Sequence, residues 1–133
     1  MSETIQFGVH LLFDGYNADT EKLNNKKHLE GILRDLPKAM KMHTIAPEVV
    51  VEVGELNQKD PGGLSGFVMI AESHISFHTF PNRGFVTADV YTCQNDLDEE
   101  KFVNYLAEAF GTNDFDAQLL PRGVRYPETD IKK

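Results

Sequence analysis

A serine, two histidines and a cysteine that are capable of nucleophilic chemistry lie close together along the chain. Ser73 follows Glu72 and precedes His74, His78 comes five residues after the serine, and Cys93 is the single cysteine. A neutral serine hydroxyl attacks an amide slowly, so it needs a strained or polarised peptide and a nearby base. The pattern indicates a serine that is consumed in a reaction on its own chain.

The spacing of these residues limits how they can meet. His78 lies an odd number of residues after Ser73, so the two face opposite sides of a strand unless the chain bends between them. Ser65 lies eight residues before Ser73, an even offset that keeps both on one face of a continuous strand. A single Ser/His pair of this kind is usually an ordinary hydrogen-bonded pair.

Four segments carry motifs that belong together. They are E-S-H-x-x-x-H-T with F-P after it at residues 72–81, P-x-G-x-S-G and an apolar run at 61–71, A-D-x-Y-T-C at 88–93, and G-x-H-L at 8–11. In this order they resemble the self-cleavage region of the prokaryotic S-adenosylmethionine decarboxylase proenzymes, and the resemblance extends over roughly residues 7–120. Four collinear motifs form a specific signal, which disfavours the ordinary interpretation of the Ser/His pair.

The resemblance implies a self-made cofactor and a role for each reactive residue. In that family the serine, here Ser73, attacks the carbonyl of the residue before it, here Glu72, and the chain is cut between them. The serine becomes a pyruvoyl group, which condenses with the amine of a small amino-acid-type substrate and supports its decarboxylation. The resemblance assigns Ser65 and His78 to processing and Cys93 to protonation of the product.

The family's usual substrate is S-adenosylmethionine, in the biosynthesis of the polyamine spermidine, and this activity is the leading hypothesis. The chain has Lys59 where relatives place an adenine-stacking aromatic residue, and Asn82 where they place an acid suited to ribose hydroxyls. Phe80 keeps an aromatic face beside His78.

Two alternatives stay open. Acids around the preceding loop, Glu52, Glu55 and Asp60, are suited to the distal cation of ornithine or arginine, which would make the protein a pyruvoyl-dependent decarboxylase of a basic amino acid. The third hypothesis is a non-catalytic partner subunit, and the intact set of reactive residues disfavours it.

Composition excludes several other classes of protein. The chain of 133 residues carries a formal charge of −8, which is unfavourable for binding nucleic acid. It has no apolar run near the ~20 residues of a membrane span and no export signal, so we expect no membrane partner. A single cysteine excludes an intrachain disulfide and favours the cytoplasm.

Periodicity predicts an α+β fold in one domain spanning residues 1–133, a two-layer sandwich with helices on one face of an antiparallel sheet. The expected order is β-α-β-β-β-α-β. The strands are expected at residues 7–13, 43–53, 65–77, 85–93 and 114–120, and the tail from 127 to 133 is expected to be loose. One helix should start at Asp19 or Thr20 and stop before Pro37, and the other should start at Asp96 or Asp98 and end at Gly111.

A sheet covered by helices on one side leaves its other face open. Short members of the family cover this face by dimerising, with the active sites at the interface, so the resemblance implies a homodimer or higher assembly of cleaved chains. The remaining histidines have ordinary interpretations: His10 is expected to be structural, and His28 and His43 to lie on the surface or in loops. His74 and His78 are four residues apart on a strand and have no third ligand, so no metal site is expected.

Overall fold

The computed structural model describes residues 4–59 and 61–129. Two helices and six strands form the body of this part of the chain, together with a single helical turn, a 3₁₀ turn and a short two-stranded ribbon. In chain order these elements are β1 (Thr4–Ile5), β2 (Gly8–Tyr16), α1 (Thr20–Leu23), α2 (Lys26–Ala39), β3 (Val49–Val53), β4 (Gly63–Ile70), β5 (Ser73–Phe80), the 3₁₀ turn Pro81–Arg83, β6 (Phe85–Thr92), α3 (Glu99–Phe110), β7 (Asp114–Arg122) and β8 (Tyr126–Pro127).

The main sheet has the strand order β3-β4-β5-β6-β2-β7, and every neighbouring pair is antiparallel. Strand β2, from the start of the chain, therefore lies between β6 and β7, which come from its second half. The predicted two-layer α+β fold is confirmed, because helices α2 and α3 pack on one face of this sheet.

Alternation along the strands builds the core between the sheet and the helices. In β2, the side chains of Val9, Leu11 and Phe13 are buried, whereas those of His10 and Leu12 on the other face are half-buried. A fully buried apolar side chain of this size contributes about 1.5–3 kcal/mol relative to an exposed one. Burial of one face therefore fixes the register, since a shift by one residue would turn the polar face into the core.

Local signals set the helix ends. The Asp98 side chain accepts a hydrogen bond from the Lys101 amide at 3.1 Å, and Gly111 ends α3 with a φ of 68°, as predicted. The first predicted helix is instead the single turn α1 followed by the longer helix α2, and Pro37 lies inside α2 rather than after it. Only the last turn follows Pro37, so the missing amide removes one hydrogen bond near the helix end, and the buried ring packs in the core.

The predicted strand at residues 65–77 is wrong. It is a hairpin in which β4 and β5 are joined by the two-residue turn Ala71-Glu72, with Ile70 opposite Ser73. The turn lacks the Asn-Gly, Asp-Gly or Gly-X residues typical of two-residue hairpins, so the sequence gives no signal for it. The main sheet consequently has six strands rather than the five of the expected order.

The second face of the sheet is not covered by any described part of the chain. Five apolar side chains on its neighbouring strands β3 and β4 keep between 37% and 53% of their surface exposed: Val49, Val51, Val53, Phe67 and Met69. A contiguous apolar area of this kind marks an interaction surface. We call it the open face.

The first and the last described strands pair with each other, β1 with β8, in a separate two-stranded ribbon. The tail, expected to be loose from residue 127, is therefore strand at Pro127, and residues 130–133 lie outside the described residues. Among the described helices, none combines the length and the apolar character that a membrane crossing requires.

Candidate active site

The bond between Glu72 and Ser73 lies at the tip of the β4–β5 hairpin. Ser73 has a φ of 153°, a value that residues with a side chain rarely adopt. Holding a residue in such a conformation costs about 1–3 kcal/mol, and the conformation persists only where surrounding contacts impose it. The peptide that the serine would attack is therefore attached to a strained residue.

The carbonyl of Glu72 is polarised from the neighbouring strand. The main-chain N–H of Cys93, just after β6, donates a hydrogen bond to this oxygen at 3.1 Å. A donor aimed at a carbonyl stabilises the negative charge that develops on its oxygen when a nucleophile adds to the carbon. The chain passes close by at Gly8, where a Cβ atom would lie 2.1 Å from the carbonyl oxygen of Thr92, so only glycine fits beside this donor.

The carboxylate of Glu72 is held on the opposite side by His43. Its two oxygens accept hydrogen bonds from the main-chain N–H of His43 at 3.0 Å and from the imidazole Nδ1 at 2.6 Å. Burial alone would raise the pKa of Glu72, but these hydrogen bonds outweigh it and lower the pKa below its ordinary value. Glu72 is thus a buried carboxylate kept ionised. His43 lies in an exposed loop, as predicted, and its partner there is Glu72.

The thiol of Cys93 is exposed and belongs to the same end of the sheet as Ser73. Thr92, the residue before the cysteine, pairs directly with Ser73 across β5 and β6. The cysteine therefore follows the strand position that lies opposite the serine, and an accessible thiol is the form needed for proton transfer to a small molecule.

Ser65 and His78 form a pair of their own, with the serine Oγ 2.7 Å from His78 Nδ1. They lie opposite each other on β4 and β5, on the open face. The expected common strand for Ser65 and Ser73 is absent because the hairpin turn separates them. Strand β5 also runs without a break, so His78 lies roughly 16 Å along it from Ser73, at about 3.3 Å per residue. Within one chain, the pair does not reach the serine.

Two of the three candidate substrate-binding residues lie at the far end of β5, and the third lies in the loop before β4. Phe80 stacks on Phe85 with ring centroids 5.5 Å apart, and Asn82 is exposed on the 3₁₀ turn. Lys59 is exposed in the loop before β4, where its amide donates to the Asn57 side chain.

A surface groove of about 380 Å³ lies beside Asn82. Of the acids noted in the sequence, Glu52 lies on β3 and lines this groove together with Asn82, Glu55 lies in the exposed loop, and Asp60 is outside the described residues. A carboxylate is therefore available next to the position where relatives carry an acid.

A polar cluster on the open face is not evident from the sequence. Asp89 accepts from His10 Nε2 at 2.5 Å, from His74 Nε2 at 3.1 Å and from the Ser76 hydroxyl. Burial would raise the pKa of Asp89, but the hydrogen bonds from Ser76 and the two histidines lower it instead. The residues meet because β2, β5 and β6 are adjacent and each presents these side chains on its outward face.

The same cluster bears on the metal prediction, since the potential ligand atoms of His10, His74 and Asp89 lie within 4.8 Å of one another. The sequence argument that His74 and His78 lack a third ligand does not consider this other set, in which His74 lies beside His10 and Asp89. Arg122 donates to Nδ1 of His10 at 2.7 Å, which leaves the His10 proton on Nε2, where it faces Asp89. With Arg122 in this position, the cluster is a network of donors around one carboxylate.

Comparisons with known proteins agree with the motifs. A family model described as S-adenosylmethionine decarboxylase matches residues 9–123. The S-adenosylmethionine decarboxylase proenzyme of Clostridium kluyveri is 33% identical over 127 residues, which cover 96% of this chain and 95% of the relative. The proenzyme of Geobacillus kaustophilus is 36% identical over 126 residues, covering 95% and 94%.

A solved structure extends the agreement to three dimensions. The crystal structure of the adenosylmethionine decarboxylase from Aquifex aeolicus matches with a TM-score of 0.76 and 27% identity, covering 97% of this chain and 99% of that one. The resemblance predicted from the four motifs is thus confirmed along nearly the whole sequence. This chain belongs to the S-adenosylmethionine decarboxylase family.

Proposed function

We propose that this chain is a proenzyme that cuts itself between Glu72 and Ser73 and then decarboxylates S-adenosylmethionine. The observation that carries the proposal is the state of the bond to be cut. Its carbonyl accepts a hydrogen bond from the Cys93 amide, and the residue after it is strained at a φ of 153°. Both features favour attack by the serine hydroxyl, the first by stabilising the developing charge and the second by raising the energy of the starting peptide.

The self-cleavage would take place in two steps, an acyl shift to the serine oxygen and an elimination. The Ser73 Oγ forms a bond to the Glu72 carbonyl carbon, the peptide C–N bond breaks, and the freed nitrogen takes a proton, which leaves an ester. Loss of the Ser73 Cα proton then breaks the Cβ–Oγ bond, and Glu72 departs as the carboxylate end of the first fragment. One water is consumed and one ammonia released as residue 73 becomes a pyruvoyl group.

The pyruvoyl group would supply a ketone that takes up the substrate amine and accepts the electron pair released with carbon dioxide. The surroundings of Ser73 fit this group, because the donor on the Glu72 carbonyl and the exposed Cys93 thiol lie at the same end of the sheet. Cys93 would return a proton to the substrate carbon. A role as proton donor requires a reduced thiol, which supports a cytoplasmic location.

We further propose a homodimer whose active sites are shared between the subunits. The open face exposes five apolar side chains that a second copy would cover. The pair of Ser65 and His78 lies on this face, roughly 16 Å from the serine of its own chain. In a two-fold packing of open face on open face with the strands antiparallel, the pair of one subunit would lie near the end of the sheet that carries Ser73 of the other.

In such a dimer the groove beside Asn82 would adjoin the partner's cleavage point. Glu52 lines this groove and would accept hydrogen bonds from the ribose hydroxyls, in place of the acid that relatives carry. Phe80 would offer an aromatic face to the sulfonium of the substrate. Both relatives compared above are named as S-adenosylmethionine decarboxylase proenzymes, which favours this substrate over ornithine and arginine.

The substrate assignment is tested by competition. Each substrate is supplied at the same concentration with a labelled carboxyl group. S-adenosylmethionine should release labelled carbon dioxide. Ornithine, arginine and lysine should react at least about 100-fold more slowly, because they lack the adenosyl group. The measurement is trapped label per substrate at equal enzyme. Turnover of ornithine or arginine without S-adenosylmethionine would refute the substrate and leave the cleavage chemistry standing.

Cys93→Ala separates processing from turnover. The substitution keeps the main-chain N–H that donates to Glu72, so cleavage should proceed at the wild-type rate. Decarboxylation should fall by about 100-fold or more, because the proton donor is lost. Fragment yield on a denaturing gel and carbon dioxide release are followed on the same sample. Wild-type turnover by the variant would show that another group supplies the proton.

A further inference from the structure

We propose that His43 is a positioning residue for self-cleavage, which clamps the turn of the β4–β5 hairpin so that Ser73 stays in its strained conformation. The inference rests on the proposed self-cleavage and goes beyond it, because it assigns a role to a residue outside the four motifs.

Three hydrogen bonds join His43 to the two residues of the turn. Its carbonyl accepts from the Ala71 amide at 2.7 Å, its amide donates to Glu72 Oε1 at 3.0 Å, and its imidazole Nδ1 donates to Glu72 Oε2 at 2.6 Å. Hydrogen bonds to a carboxylate are among the strong ones in proteins. One residue thus holds both the main chain and the side chain of the turn.

His43 is itself fixed on both sides. The preceding residue, Met42, is buried, and its amide donates to the Pro37 carbonyl at the end of α2 at 2.7 Å. The following residue, Thr44, pairs with Ile70 of β4 as an isolated bridge. The clamp is therefore anchored to a helix end and to the strand that leads into the turn.

Glu72 is held from two directions at once. His43 holds the carboxylate, and the Cys93 amide holds the carbonyl on the side of β6. Between the fixed Glu72 and strand β5, the backbone turns at Ser73, whose φ is 153°. Removing one of the two anchors allows the turn to relax, and the serine then faces an ordinary peptide.

The ring of His43 is 76% exposed, so its removal leaves no cavity in the core. A purely structural contribution should consequently be small, and an effect on cleavage can be measured in folded protein. The matched control is His28 of α2, whose Nε2 lies 2.7 Å from the Ala109 carbonyl on the helix side of the sheet.

The test is a time course of self-cleavage in newly synthesised full-length chain, made in a cell-free system and stopped in denaturant. His43→Ala should slow cleavage by about tenfold or more, the factor expected from losing one charge-assisted hydrogen bond. His43→Asn should recover most of the rate, because its amide nitrogen takes the position of Nδ1. His28→Ala should cleave like the wild type.

Hydroxylamine supplies a readout that a merely structural role would not change. It cleaves the ester and leaves a hydroxamate on Glu72, so the mass of the first fragment reports how far the acyl shift has advanced. His43→Ala should give less hydroxamate at an unchanged unfolding midpoint. Glu72→Gln combined with His43→Ala should be no slower than the slower single variant, because both substitutions act on one contact.

The outcomes separate the clamp from the self-cleavage. Wild-type and His28→Ala chains that both remain uncut would overturn the two proposals together. The clamp alone would be overturned if the wild type is cleaved and His43→Ala is cleaved at the same rate. It would also be overturned if the rate of His43→Ala falls only in proportion to its folded fraction.

Discussion

Purified protein should consist of two chains, residues 1–72 and 73–133, whereas Ser73→Ala should remain one chain of 133 residues. Alanine keeps the hairpin and its hydrogen bonds but has no hydroxyl to attack the Glu72 carbonyl, so cleavage should fall below detection. The second fragment of the wild type should resist Edman degradation and react with a carbonyl reagent, since a pyruvoyl group has no free amine.

Intact mass spectrometry measures both results on one sample. Ser76→Ala is the matched control, because Ser76 lies three residues along the same strand and its hydroxyl donates to Asp89 rather than facing the turn. This variant should be cut like the wild type. Wild-type chain that stays full length after long incubation, with no carbonyl detected, would rule out the pyruvoyl mechanism.

A dimer of two different inactive variants should recover self-cleavage in one of its chains. His78→Ala alone should be cut about 100-fold more slowly, because the group paired with Ser65 is lost. Co-expression with Ser73→Ala should restore cleavage of the His78→Ala chain, since the partner then brings an intact pair to an intact Ser73. With random pairing of equal amounts, about half of these chains should be rescued, namely those in mixed dimers.

Different affinity tags on the two chains allow the mixed dimers to be purified and scored by mass. The control pairs His78→Ala with a chain carrying both substitutions, which forms the same dimers without any intact His78 and should stay uncut. Purified mixed dimers that show no cleavage above this control would contradict the shared site. So would wild-type cleavage by His78→Ala alone.

Elements with local signals were predictable from the sequence. The N-cap Asp98 and the left-handed Gly111 enclose α3, and both are side-chain or backbone preferences that act over a few residues. The alternation of apolar and polar residues in β2 likewise predicted which face of the strand is buried. The strand itself extends further than predicted, to Tyr16. The four motifs likewise identified the family and the bond proposed to be cut.

Features that depend on register across the sheet were not predictable. Ala71-Glu72 is a poor turn sequence, and the hairpin forms there because the apolar residues on both sides pack into one core. The cluster around Asp89 requires β2, which is distant in sequence, to lie beside β6, the strand that follows β5. The contact of His43 with Glu72 depends on the bridge from Thr44 to Ile70, for which the sequence offers no marker.

The position of β2 between β6 and β7 bears on whether folding or cleavage would come first. Cleavage after residue 72 would leave β2, β3 and β4 on one fragment and β5, β6 and β7 on the other, so that the fragments alternate across the sheet. Neither fragment would then have a sheet that it can complete alone, so the chain would have to fold before it is cleaved.

Cutting also removes the tether that made this folding a reaction of a single molecule. An unfolded mature subunit would have to reassemble from two separate chains, at the cost of bringing them together from solution. One of these chains would carry a reactive carbonyl at its end. The cleaved enzyme would therefore persist because it unfolds slowly, and not because it can fold again.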